Sequence, residues 1–292
     1  MGSLVLVSGL LPFNSGKTFF TMALASYLRD LGYSVTVAKP VSAHSIWDQY
    51  EYFLESLKLG VLVGEDVIKY MRADLIDDVD TQNPVDILTA PHDVMKHPSL
   101  DSYYTALTSV IEQAVLVRIS VGEVRNHYVI GENLNKLEEH VAGEVRNLVV
   151  KLGVSTEADR GWLYSKLTSN EVDSLITESL RRLALKHAVV LCESFSNALF
   201  PVFGVSKMAT HIVVVTPTRA LIYGVKKTST YLGTINRLKA ESSIIVMLFK
   251  PDLILRIKPS LTPEGSLVET ELRKLLNEFF TVQRRGDTQH NL

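Results

Sequence analysis

A chain of 292 residues with 46% hydrophobic and 21% charged residues is long enough for one large α/β domain, or for a domain carrying a sizeable insertion. A net charge of −2 gives no electrostatic reason to expect nucleic acid or an anionic membrane as partner, and the single cysteine, Cys192, excludes an internal disulfide framework and a cysteine-rich zinc site. No apolar run reaches the length of a bilayer span and the N-terminus starts a strand almost at once, so the expected location is cytoplasmic, without leader or anchor.

The first element organises the rest. Val5 to Leu28 reads as an apolar run, a loop closing on Gly16-Lys17-Thr18, and a segment of helical period, which predicts strand, phosphate-binding loop and helix. Ser8-Gly9 lets the chain leave the strand sharply, and Gly16 lets backbone N–H groups turn inward around a phosphate. Lys17 then reaches the β- and γ-phosphates, and Thr18 stands where a Mg²⁺ ligand is needed. The usual spacing has its first glycine where this chain has Leu11, with Gly9 two residues earlier. The expected ATP-binding set is Gly9, Asn14, Ser15, Gly16, Lys17, Thr18 and Phe19.

Ser34 to Ala38 predicts a second strand that stops at Lys39-Pro40, because proline cannot donate to a ladder. In the following segment Asp48 is either a cation ligand or a helix-opening acid, and Asp74, Asp77, Asp78 and Asp80 read as a solvated acidic face. Thr81 to Pro98 is a long connecting loop of the kind that lines sites. From Ser99 to Lys186 the apolar residues recur at helical spacing, and Asn133 to Lys151 predicts a solvent-facing helix. This gives a helical insertion at 99–176 inside a domain made of 1–98 and 177–292.

Ala188 to Cys192 then predicts a buried strand ending in Glu193, an acid placed where a Mg²⁺-facing carboxylate lies in such folds. His211 to Thr216 is a further strand, followed by a helix running to Leu238, a strand at Ile244 to Phe249, a helical tail from Pro263 to Phe280 and a disordered end from Gln283. Arg219 faces either the nucleotide or the surface, and His44, His92 and His97 read as hydrogen-bonded loop histidines without metal-pair spacing. The expected fold is α/β, a doubly wound, mainly parallel sheet of the P-loop NTPase kind.

Four landmarks in order resemble dethiobiotin synthetase: the loop from Gly9 to Thr18, Lys39-Pro40-Val41 at a strand end, Asn83-Pro84 followed by Pro91-His92, and Glu193 with a small-residue loop leading to Pro201. The resemblance implies a ligase in which ATP activates a carbamate that a second amine closes into a ring urea. It implies catalytic roles for Lys17, Lys39 and Glu193, with Lys39 steadying the carbamate and the transferring phosphoryl group, and a Mg²⁺ held by Thr18, Glu193 and Asp48. It also implies a homodimer acting on a small molecule. The chain departs from the family at Ala43, where a serine is usual, and at Ser194, Phe195, Ser196 and Asn197, where glycine and alanine are usual. The family's adenine-reading asparagine is absent near Phe249-Lys250-Pro251. Two other classes compete: a regulatory or assembly ATPase of the partition-protein kind, whose early second lysine is replaced here by Pro12, Phe13 and Asn14, and a polynucleotide 5′-kinase, which would need a basic groove.

Overall fold

The computed structural model describes residues 2–154, 156–226, 228, 240–267 and 270–276. The chain is α/β and divides into two compact units, Met1–Lys39 with Thr177–Leu292, and Pro40–Ile176. Among the described residues no helix is long and apolar enough to cross a membrane.

The first unit is built on a six-stranded sheet. Its strands are β1 (Ser3–Gly9), β2 (Val35–Ala38), β8 (Val189–Glu193), β9 (His211–Thr216), β10 (Arg219–Gly224) and β11 (Leu253–Arg256), in the order β11-β10-β9-β1-β8-β2. β2, β8, β1 and β9 run parallel, whereas β10 is antiparallel to both its neighbours. The four parallel strands are almost wholly buried, which is why each appears in the sequence as an unbroken apolar run. Helix α1 (Lys17–Asp30) turns Phe20, Ala23, Leu24 and Leu28 inward at helical spacing and stops at Leu31 before Gly32, whose φ is +85°.

Two expectations fail in this unit. Arg219–Gly224 is a strand, not the lead-in to a helix, because Thr218 takes a left-handed φ of 74° and reverses the chain directly onto β9. Ile244–Phe249 is not a strand: α11 (Ser242–Leu248) is a helix, its start bound to Asn197 O by the Ser242 N–H at 2.9 Å and the Ser242 hydroxyl at 3.0 Å. A short apolar run has no periodicity long enough to separate the two. The tail is helical at α12 (Pro263–Ser266) and again at 270–276. Most of the helix expected up to Leu238, and the tail beyond 276, lie outside the described residues.

The second unit contains a five-stranded sheet of β3 (Val41–Ser45), β4 (Val85–Thr89), β5 (Ala114–Val121), β6 (Val124–Ile130) and β7 (Glu157–Ala158), in that order. The expected boundary at 98/99 falls inside this unit because β4 pairs antiparallel with β5. The expected helical insertion is therefore in part a sheet. β5 is buried on both faces, so it lacks the alternation that marks a half-exposed strand, and Gly122-Glu123 closes a tight hairpin from Val121 to Val124 with Gly122 at φ +60°. Helices α2 (Tyr50–Leu59), α3 (Glu65–Arg72), α4 (Val79–Gln82), α5 (Leu100–Leu107), α6 (Val110–Gln113), α7 (Gly131–Leu134), α8 (Glu139–Lys151) and α9 (Arg160–Leu167) supply the rest, and α10 (Asn170–Lys186) runs through the 176/177 boundary. α8 buries Ala142, Val145 and Leu148 into a core with Leu88, Val115, Leu116 and Leu137, so the helix expected over 133–151 has one buried face and begins at Glu139.

Candidate functional site

Parallel strands end together, and in the first unit they bring the chemically distinctive residues to one edge of the sheet. Gly9 is in register with Val215, Val7 with Glu193, and Ala38 with Cys192. The loop after β1, Lys39 after β2, Ser194 to Asn197 after β8 and Pro217-Thr218 after β9 therefore all leave from the carboxyl edge, the side on which open α/β sheets bind ligands. Among the described residues, three of the four non-glycine residues with positive φ follow these same strands: Asn14 at 54°, Ser196 at 49° and Thr218 at 74°, the fourth being Asp74. Strained backbone of this kind persists only where its surroundings over-determine it, and it concentrates at ligand sites.

The loop from Leu10 to Gly16 is closed on itself. The Ser15 hydroxyl accepts from the Leu11 N–H and donates to the Leu11 carbonyl, both at 2.9 Å, while the Leu10 N–H is tied to Val215 O at 2.9 Å. Gly9 allows that closure: a Cβ there would lie 2.7 Å from Ser15 Oγ and 3.0 Å from Lys17 Nζ. Gly16, at φ +85°, is the N-cap of α1, with no side-chain cap and no acid in the first turn. The positive dipole end of this fourteen-residue helix is thus turned to the loop without a side-chain cap. Lys17 Nζ donates to the Ser196 carbonyl at 2.7 Å, which links the loop to the strained turn after β8. Asn14 is exposed, and Thr18 and Phe19 are half-buried on the first turn of α1.

Lys39 is 3% exposed and Glu193 0%, and the two form an ion pair in which Lys39 Nζ also donates to the Ser194 carbonyl at 3.3 Å. A lysine buried at a strand end needs an anionic partner, and here that partner is the glutamate of the adjacent strand. The Ser194 hydroxyl beside them is buried and has no hydrogen-bond partner among the described residues. Burial pushes the neighbouring Cys192 thiol far above its ordinary range, which makes it an inert core group.

Asp48 is in the other compact unit, exposed in the turn before α2, with its own N–H donating to Ser45 Oγ at 3.3 Å. Among the described residues no three His, Cys, Asp or Glu side chains gather as a metal site. His44 is a strand residue rather than a loop one, 2% exposed, with Nδ1 3.0 Å from Asp86 Oδ1. His92 and His97 meet Nδ1 to Nε2 at 3.0 Å with their rings stacked, and burial, aided by the Lys136 and His97 charges, lowers the His92 pKa to about 4. Asp80 is not a solvated acid: Arg125 grips it through Nε and Nη2, both at 2.9 Å, and Ser120 donates to it at 2.7 Å.

Arg118, which no motif or spacing announces, is wholly buried in β5. Its Nε donates to Leu62 O at 2.9 Å, Nη1 to Ser120 Oγ at 2.7 Å, and Nη2 to both oxygens of Asn83 at 2.8 and 2.7 Å. Asp86, also wholly buried, accepts from Ser42 Oγ and from the Gly64 N–H at 3.2 Å. Comparison with models of protein families, with curated proteins and with solved structures gives no match.

Proposed function

We propose that the first unit is a P-loop nucleotide-binding domain and that the protein is an ATP- and Mg²⁺-dependent ligase of the dethiobiotin synthetase kind, activating a carbamate or carboxylate of a small substrate. The observation that carries this reading is the loop from Gly9 to Lys17: a close-approach glycine, an internally closed turn, the positive dipole end of a helix without a side-chain cap, and a lysine at the helix start. Those four features together suit a phosphate chain. ATP supplies the phosphoryl group and its Mg²⁺ the charge compensation. Lys17 would exchange its bond to the Ser196 carbonyl for the phosphates, and the freed Ser196 turn would register that exchange. Thr18 is the candidate hydroxyl ligand and Glu193 the candidate carboxylate. A donor set this small suits Mg²⁺, which binds through one or two protein oxygens and the phosphates it accompanies. Lys39 would balance charge developing on the transferring group once Glu193 turns to the ion. The homodimer and the cytoplasmic setting belong to the same proposal.

The reading is tested by phosphate release in the presence of bicarbonate and a panel of diamino acids. It predicts turnover that depends on one of them, and turnover indifferent to the whole panel would end the ligase assignment. A second reading, a regulatory or assembly ATPase, is favoured by one feature: Lys39 is already neutralised by Glu193 and bound to the Ser194 carbonyl, and the loop beyond carries side chains where a substrate would approach. Hydrolysis raised by a protein partner and by no amine would select it.

A further inference from the structure

The same carboxyl edge carries a second cationic feature that the nucleotide reading does not use. Arg219 opens β10 and Arg256 ends β11, and the two are direct register partners of an antiparallel pair. Like charges placed opposite each other destabilise a sheet. Among the described residues the counter-charge within reach is small: Glu271 lies 3.5 Å from Arg256 and 3.3 Å from Lys274, so one carboxylate serves two cations. Among the described residues, Arg219 and Lys258 have no carboxylate in ion-pair range. Arg219, Arg256 and Lys258, with Thr218 and Ile257, line a cleft of about 400 Å³, a volume suited to a small ligand.

The backbone beneath the cleft is held under strain. Thr218 is β-branched and sits at φ 74°, a conformation that such a residue rarely adopts. It is kept there by the Ile257 N–H donating to its carbonyl at 2.8 Å and by the Thr216 hydroxyl donating to Arg219 O at 3.2 Å. Repelling cations, a strained turn that fixes their spacing and an open cleft between them form one arrangement. A dianion would remove the repulsion that the arrangement maintains.

We infer that this cleft binds a small dianion of the phosphate class, gripped between the two guanidinium groups with Lys258 as third cation. Planar forks that bind phosphate oxygens in pairs make arginine the residue for this task. A net charge of −2 argues against an extended polyanion as occupant. The phosphate is either free or carried on a small organic molecule, and the test separates these sources. The inference does not rest on the nucleotide assignment, since Lys17 lies in a different loop.

The test is calorimetric titration of the full chain carrying Lys17→Ala with inorganic pyrophosphate and, separately, glycerol 3-phosphate, at low ionic strength. One site is expected to remain. Adding Arg219→Ala and Arg256→Ala should weaken it more than tenfold, while the melting temperature holds or rises because the like-charge pair is gone. If the alanine pair fails to fold, Arg219→Lys with Arg256→Lys keeps the charges and removes the forks, and a loss of at least threefold is expected. Tighter binding of glycerol 3-phosphate assigns the site to an organic phosphomonoester, and tighter binding of pyrophosphate assigns it to the free anion. Binding of neither probe, or binding unchanged by loss of both arginines, would overturn the inference.

Discussion

Charge is buried in both compact units of this chain, in two different ways. In the second unit the Arg118 guanidinium finds acceptors at Leu62, Asn83 and Ser120, with the Asp80 carboxylate 3.7 Å away. In the first unit the Lys39–Glu193 pair stands at strand ends, flanked by a left-handed Ser196, a buried Ser194 hydroxyl without a partner and a lysine bound to a backbone carbonyl. A buried charge enclosed by satisfied partners serves the fold. A buried charge beside strained and unsatisfied groups is poised to exchange partners, and on the proposed reading the Lys39–Glu193 pair is of that kind.

The contrast breaks most visibly when the charges are removed. Arg118→Met leaves Asp86 buried with less compensation, and Lys39→Met does the same to Glu193; each should cost about 3–5 kcal/mol in urea unfolding. The repairs should differ. Asp86→Asn added to Arg118→Met is expected to restore both stability and nucleotide turnover, whereas Glu193→Gln added to Lys39→Met restores stability alone. Recovery of turnover in the second double variant would erase the distinction.

Glycine substitutions give the next largest difference. Gly9→Ala forces a Cβ to 2.7 Å from Ser15 Oγ and should cost about 1–3 kcal/mol by overpacking, together with nucleotide affinity. Gly122→Ala meets nothing within 4 Å and carries only the left-handed strain of φ +60°, about 1 kcal/mol, with binding intact. Melting curves with and without nucleotide separate the two.

Acid should then act unequally. His92 and His127 in the second unit and His211 in the first have their pKa values lowered to about 4, each mainly by burial. Between that value and about 6.5 the unfolded chain binds protons that the folded chain refuses, so stability is full above about pH 6.5 and falls as the pH drops toward 4. With two such groups against one, the second unit should open first on acidification, as read by amide exchange at pH 7 and pH 4.5. His92→Gln should reduce the difference.

The smallest effects lie in the strained turns. Ser196→Gly and Asp74→Gly both relieve a positive φ, and each should gain stability by a few tenths to about 1 kcal/mol, less the entropy that glycine loses. Only Ser196→Gly should alter nucleotide turnover.

These features were not equally legible. β1, β2, β8 and β9 could be read because strands buried on both faces appear as apolar runs with sharp ends, and Lys39 announced its need for an anion by standing at such an end. Its partner was legible only as an acid at another strand end, since register alone brings Glu193 beside it. β5 was hidden because Arg118 interrupts an apolar run that shows no alternation, so helical spacing fitted as well. Ile244 to Phe249 illustrates the same ambiguity in the opposite direction, and Thr218 gave no sign of reversing the chain because a threonine at φ 74° is held by tertiary bonds from Ile257.

The central claim, that Lys17 and the loop behind it hold a nucleotide's phosphates, is tested most directly by calorimetry of ATP with Mg²⁺ against the wild-type chain and Lys17→Ala. Loss of a charge-assisted contact predicts affinity about 10- to 100-fold weaker in the variant, with the melting temperature nearly unchanged. Equal affinity in the two proteins would contradict it.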